Sequence, residues 1–163
     1  MASNPATPSW QEYAAQAERF IVFAQLASKH AKEEKQKNPL NKENFETFEA
    51  VSISVHHGFA AELLIKGIRA KKKICIVRSH SLKQLLERTD FSDIYQCLEG
   101  RYKEKYHGHD RVRGFNSLLD QAKNLFEHGR YHFEPNKNQK QYVNADFTSF
   151  LVGELREVLR NSI

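Results

Sequence analysis

The chain has 163 residues and 40% hydrophobic content, which suits one core and leaves little room for a second. Lys and Arg outnumber Asp and Glu by 25 to 20, so the formal charge of +5 admits a polyanionic partner without requiring one. Cys75 and Cys97, with no Cys-x-x-Cys spacing, suit reduced thiols of a cytosol-like compartment better than a disulfide framework, although a bond would form if the fold brought them together.

The opening MASNPATPSWQEY lacks the basic residues and apolar run of a secretory signal, so a cytoplasmic protein is expected. The longest clean apolar run, Ile74 to Val77, is far short of the roughly 20 residues that cross a bilayer, and no membrane partner is expected. From Ser9, apolar or small residues at Trp10, Tyr13, Ala14, Ala17, Phe20, Ile21, Ala24 and Ala27 keep one helical face, with Ser9 and Glu12 in capping-box spacing. That helix is expected to fade in the charged tract His30 to Asn44, where Asn38-Pro39 breaks it.

A second helix is predicted from Phe45 to about Ala70. Phe45, Phe48, Val51, Val55, Phe59 and Leu63 lie on one side and Ile53, Ala60, Leu64 and Ile68 on another, which implies a central, largely buried helix. KKKICIVRSH then reads as a loop, locally extended, leading into a short helix over 81–88 opened by Ser81 and Gln84. Asp90 is placed to cap the next helix, which carries Phe91, Ile94, Tyr95, Leu98 and Tyr102 and ends near His107-Gly108. Phe115, Leu118, Leu119, Ala122, Leu125 and Phe126 form a further stripe ending near Gly129. The last helix, with Phe147, Phe150, Leu151, Leu155, Val158 and Leu159, follows a cap at Asn144 or Asp146. Five to six helices, short connections and no alternating strand pattern predict a single all-α domain over 1–163, an antiparallel bundle.

His128 and His132 would share a helical face, but Gly129 and Arg130 follow the first His where a zinc-protease motif needs Glu, and a cation sits badly in a metal site. His107-Gly108-His109-Asp110 reads as a polar turn, and His56-His57 as core or interface histidines. No metal and no cofactor is expected, and no Gly-rich phosphate loop or Gly-x-Ser-x-Gly elbow occurs. Glu62 and Lys66 stand in the favourable i, i+4 order among Phe59, Leu63, Leu64, Ile65 and Ile68, so they read either as an ordinary helix pair or as a pair drawn into a groove.

Three segments in order, FAAELLIKGI on the central helix, RSHSLKQLLERTD with a His before a short Leu-rich helix, and LDQAKNLFEHGRYHFE, together resemble the HEPN (higher eukaryotes and prokaryotes nucleotide-binding) superfamily over about 48–134. The resemblance implies a bundle of four or five helices that binds RNA, nucleotides or proteins. In its nuclease members, among them toxins of toxin–antitoxin pairs and phage-defence effectors, it implies a metal-independent ribonuclease whose protomers meet as a homodimer. There an Arg is followed after four to six residues by a His. The His acts as general acid or base toward a ribose 2′-hydroxyl and the Arg stabilises charge on the phosphate.

Arg130 best matches the family's Arg, yet the positions where the His should stand are Pro135, Asn136 and Lys137, so His132, or His128, would have to serve instead. The literal spacing occurs at Arg101 and His107, earlier in the order than the other motifs. The expected catalytic residues are therefore Arg130 and His132, with Arg101, His107 and His128 behind them. Glu62, Lys66, Lys71, Lys72, Lys73, Arg78, His80 and Tyr131 are the expected RNA- or nucleotide-binding set. The alternative is a noncatalytic module that dimerises or binds a protein partner, such as an antitoxin.

Overall fold

The Ser9 hydroxyl accepts from the Glu12 backbone N–H at 3.3 Å while the Glu12 carboxylate accepts from the Ser9 N–H at 2.6 Å, so the expected capping box starts the first helix. The structure, a computed structural model, describes residues 7–107, 114–122 and 145–161. Among them are six α-helices: α1 Trp10–Lys37, α2 Lys42–Lys71, α3 Leu82–Leu86, α4 Ser92–Lys105, α5 Phe115–Ala122 and α6 Ala145–Asn161. Two single turns of 3-10 helix, Pro39–Asn41 and Thr89–Phe91, precede α2 and α4, and the described residues contain no strand. The chain is an all-α bundle. No helix of the described residues is long and apolar enough to cross a membrane.

α1 does not fade at His30. Its last three turns are held on α2 by Glu49, which accepts from Ser28 at 2.6 Å and from Lys35 at 2.7 Å, and by Ala31, which is fully buried. Asn38, restricted by Pro39 and standing at φ −129°, ends the helix, and α2 begins at Lys42 rather than Phe45. α1 and α2 form a long hairpin whose seam is built of small residues: Ala17, Ala24 and Ala31 on one helix, Ser54, Gly58 and Ala61 on the other. Those spacings of three, four and seven keep one face toward the partner helix, and short side chains let the backbones approach closely. Gly67 extends the same close approach, since a Cβ there would meet Tyr13 Cβ at 3.3 Å.

Burial along α2 is uneven. Ala60, Ala61, Leu64, Ile65 and Ile68 belong to the central core, whereas Phe45, Val55, Phe59 and Leu63 are only partly buried and Phe48 is exposed, so the helix is central in its second half alone. At its end the chain turns back through Lys73, whose φ of 56° lies in the left-handed region that usually selects glycine. Residues 74–80 then run without regular structure, with Ile74 and Val77 packed on the core.

α3 is opened by the Ser81 hydroxyl, which accepts from the Gln84 N–H at 3.4 Å. Asp90 is not a helix cap. It sits in the 3-10 turn before α4 and binds the guanidinium of Arg69 through both oxygens, at 3.1 and 2.6 Å, so its carboxylate is committed across the fold to α2. α4, α5 and α6 meet through an aromatic cluster in which Tyr102 lies 5.7 Å from Phe115, 5.8 Å from Phe147 and 5.4 Å from Phe150, ring centre to ring centre. The Phe147 and Phe150 pairs are edge-to-face, and aromatic pairs of this kind add about 0.5–1.5 kcal/mol each beyond area burial. Asp146 lies inside the first turn of α6 and is not its cap. Asn144 and the expected continuation of the α5 stripe to Gly129 lie outside the described residues.

Candidate functional site: a carboxylate, lysine and histidine cluster beside a basic groove

Glu62 falls on the face of α2 that turns toward α1 and the returning chain, and its side chain is only 5% exposed. A carboxylate at that depth requires charged or hydrogen-bonding partners. It has two. Lys66, one turn on, donates to Oε1 at 2.5 Å, and the Nδ1 of His80 lies 3.1 and 3.2 Å from Oε1 and Oε2. The i, i+4 spacing brings Lys66 to Glu62, whereas His80 arrives only because residues 74–80 run back along α2.

The His80 side chain is 78% exposed while its carboxylate partner is buried. When Nδ1–H donates to Glu62, the lone pair of the neutral ring resides on Nε2. The carboxylate then fixes the tautomer and the orientation of the ring, with Nε2 as its proton-accepting atom. A histidine oriented by a buried carboxylate is a competent general base or acid.

Next to this cluster lies a groove of about 1040 Å³, walled by Trp10 and Tyr13 of α1, by Lys66 and by the segment from Lys73 to Arg78. Burial pushes the Tyr13 phenol up, and the charges of Glu12 and Glu62 add to the effect, which ties this wall of the groove electrostatically to Glu62. Lys73 and Arg78 supply exposed positive charge to the same groove.

The basic collar does not act as one unit. Lys71 donates to the Leu159 carbonyl at 2.8 Å and lies 4.8 Å from the centre of the Trp10 ring, so it ties α2 to α6 and α1. Lys72 pairs with Asp93 at 2.6 Å, and that lysine holds the Asp93 carboxyl below the usual carboxylate range. Of the collar residues, Lys73 and Arg78 face the groove.

Arg101 binds Glu154 of α6 at 2.6 Å, and His107 follows the end of α4 in an exposed turn. Arg130, His132, His128 and Tyr131 lie outside the described residues. His57 donates to or accepts from Ser149 Oγ at 2.9 Å, and His56 Nδ1 lies 2.7 Å from the Ser52 carbonyl, so both act as hydrogen-bonded interior or surface residues of α2. Among the described residues no group of three or more His, Cys, Asp or Glu side chains is placed to hold a metal ion.

Sequence reasoning missed Arg69, among the largest fully buried side chains of the described residues. Its Nε donates to the Cys75 carbonyl at 2.8 Å while its fork holds Asp90, so it fixes the start of the segment that delivers Arg78 and His80. Its position seven residues after Glu62 and four after Ile65, on the buried face of α2, was the available signal. Comparison with family models, with curated proteins and with solved structures finds no match to this chain.

Proposed function

We propose that this chain is an HEPN-like cytoplasmic protein that engages RNA in the groove beside Glu62, Lys66 and His80. In this reading Lys73 and Arg78 hold the phosphate backbone, Trp10 and Tyr13 offer aromatic surface to a base, and His80 is the proton-transfer group. The observation that carries it is the exposed His80 imidazole oriented by a buried carboxylate whose other partner, Lys66, lines the groove together with Lys73 and Arg78. Such a set needs no metal: His80 would take the proton of a ribose 2′-hydroxyl as its oxygen attacks the adjacent phosphorus. The P–O5′ bond would break to leave a 2′,3′-cyclic phosphate, water would protonate the departing 5′-oxygen, and Arg78 would offset the charge that develops on the phosphate. The resemblance adds Arg130 and His132 as further catalytic candidates and a role in defence or a toxin–antitoxin pair. Cys75 and Cys97, both free thiols, are in keeping with a cytoplasmic location.

The test has two readouts on purified protein with EDTA present. Affinity for labelled single-stranded RNA should fall linearly with the logarithm of salt concentration, and Lys73→Ala or Arg78→Ala should each reduce that slope by about 0.7. Cleavage should drop about 100-fold or more in His80→Ala, with Arg130→Ala and His132→Ala compared in parallel. Salt-insensitive binding, or none, would overturn the RNA reading. Salt-dependent binding without cleavage by any form would leave an RNA-binding protein and remove the ribonuclease. A noncatalytic interaction module is the second reading, favoured by Val22, Phe23 and Leu26, large apolar side chains exposed on α1.

A further inference from the structure

Trp10, Ala14 and Glu18 follow one another at four-residue spacing, so they stack along one face of α1. On α6, Arg156, Leu159 and Arg160 share a face by the same rule, and on α2 Leu64 and Lys71 stand two turns apart. These three faces line a cavity of about 290 Å³ near the start of α1 and the ends of α2 and α6. The single methyl of Ala14 fills little of the gap between Trp10 and Glu18. Trp10 also borders the groove, so its indole is a wall shared by the two cavities.

The lining divides by chemistry. Leu64 and Leu159, both buried, join Ala14 and the Trp10 ring as an apolar surface. The rest is charged: Lys71, Arg156 and Arg160 against one carboxylate, Glu18. Glu18 approaches Arg156 at Nη2 and Nε, at 3.2 and 2.8 Å, but it is out of line with Nε, so that buried N–H has no acceptor among the described residues. Glu157, which does not line the cavity, pairs with Nη1 of Arg160 at 2.8 Å in the solvent-exposed last turns of α6. Lys71 is met by a carbonyl and a ring rather than by a carboxylate. By binding the Leu159 carbonyl it also offsets the negative end of α6, which would otherwise repel an anion.

A guanidinium carries five N–H donors in a fixed fork, so Arg156 and Arg160 each keep donors for a second carboxylate beyond the one already beside them. The apolar surface then decides what that carboxylate is attached to. A bare inorganic anion would leave Leu64, Leu159 and Trp10 facing water, whereas a ring or a short branched chain would cover them. At about 290 Å³ the cavity stands at the low end of ligand pockets, a fit for such a compact acid and a tight one for a nucleotide.

We propose that this cavity binds a small carboxylic acid with an aromatic or branched aliphatic body, its carboxylate held by Arg156, Arg160 and Lys71 and its body set against Trp10, Leu64 and Leu159. The site stands independently of the RNA reading. Trp10 is the single tryptophan of the chain, so its fluorescence reports occupancy. Titrating the full chain with phenylacetate should give a saturable change, whereas phenethyl alcohol and phenethylamine, which lack the carboxylate, should give none.

Arg156→Gln and Arg160→Gln should each raise the phenylacetate dissociation constant about tenfold. Ala14→Leu, which fills the cavity, should abolish binding with unchanged helical circular dichroism. Lys73→Ala combined with Arg78→Ala changes the groove and not this cavity, and should leave the affinity as it was. No saturable change up to about 20 mM phenylacetate would overturn the proposal. So would inorganic phosphate matching phenylacetate, the sign of an adventitious ion only, or binding that survives Ala14→Leu but is lost with the two groove cations. Unchanged affinity in both glutamine variants would overturn it as well, whether or not Ala14→Leu folds.

Discussion

A guanidinium at 0% exposure must find its acceptors within the protein, and Arg69 donates to the Cys75 carbonyl and the two Asp90 oxygens, with its charge 5.4 Å from the centre of the Phe91 ring. Three bonds from one side chain join the end of α2, the start of the returning segment and the turn before α4. Lysine, a point donor, cannot reproduce the fork. Arg69→Met keeps much of the packing volume but leaves the Cys75 carbonyl and Asp90 without these donors, at an expected cost of about 2 kcal/mol. Urea unfolding checks this, and a change below about 0.5 kcal/mol would show that the fork contributes nothing net. Through Cys75 the same substitution should disturb the groove, so any RNA affinity should fall with it. Hydrogen bonding by Arg69 also holds the Asp90 carboxyl below its ordinary range, so the pair is retained until strongly acidic pH.

At the scale of elements, the α1–α2 hairpin depends on what its seam lacks. Ala17, Ala24 and Ala31 offer one methyl each, and two helices of 28 and 30 residues run side by side because nothing larger intervenes. Larger side chains in this seam must push the helices apart or leave their rotamers. Ala24→Leu is expected to destabilise the fold by about 1–3 kcal/mol, while Ala15→Leu, at an exposed position of the same helix, should be near neutral. Thermal melts of the two variants make the comparison, and equal melting temperatures would refute close packing at the seam. The sequence pattern gave the apolar face of α1 as far as Ala27. It could not show that the charged tract beyond stays helical, because Lys35 and Ser28 are satisfied only by Glu49 from the other helix.

For the molecule as a whole, His57 is the titratable joint between α2 and α6, its Nδ1 set on Ser149 Oγ. Burial, and then the charge of neighbouring His56, depresses its pKa below the ordinary 6.5. The unfolded chain therefore binds a proton at higher pH than the folded one does. The stability contributed by neutral His57 is complete above the unfolded value and is lost as pH falls from about 6.5 toward the depressed folded value. Wild type should lose stability between about pH 7.5 and about pH 5.5, and His57→Gln should lose distinctly less over that interval. Identical pH profiles in denaturant titrations would rule out this source.

The helices of the described residues, the Ser9 capping box, the order of their apolar stripes and the all-α class follow from periodicity and local chemistry, because a helix's face and ends are specified by residues within a few turns. The Glu62 and Lys66 pair belongs to that class, since one turn of helix brings them together. Bringing His80 to the same carboxylate required a left-handed turn at Lys73, an Arg69 fork and a chain reversal, none of which one-dimensional spacing encodes. Asp90 marks the same boundary. Its residue type and position suit a helix cap, but the buried guanidinium of Arg69 is the stronger partner, because an unpaired interior charge costs more than a missing cap. Only the tertiary structure could decide between two such partners, since one lies a few residues away and the other 21 residues back along the chain.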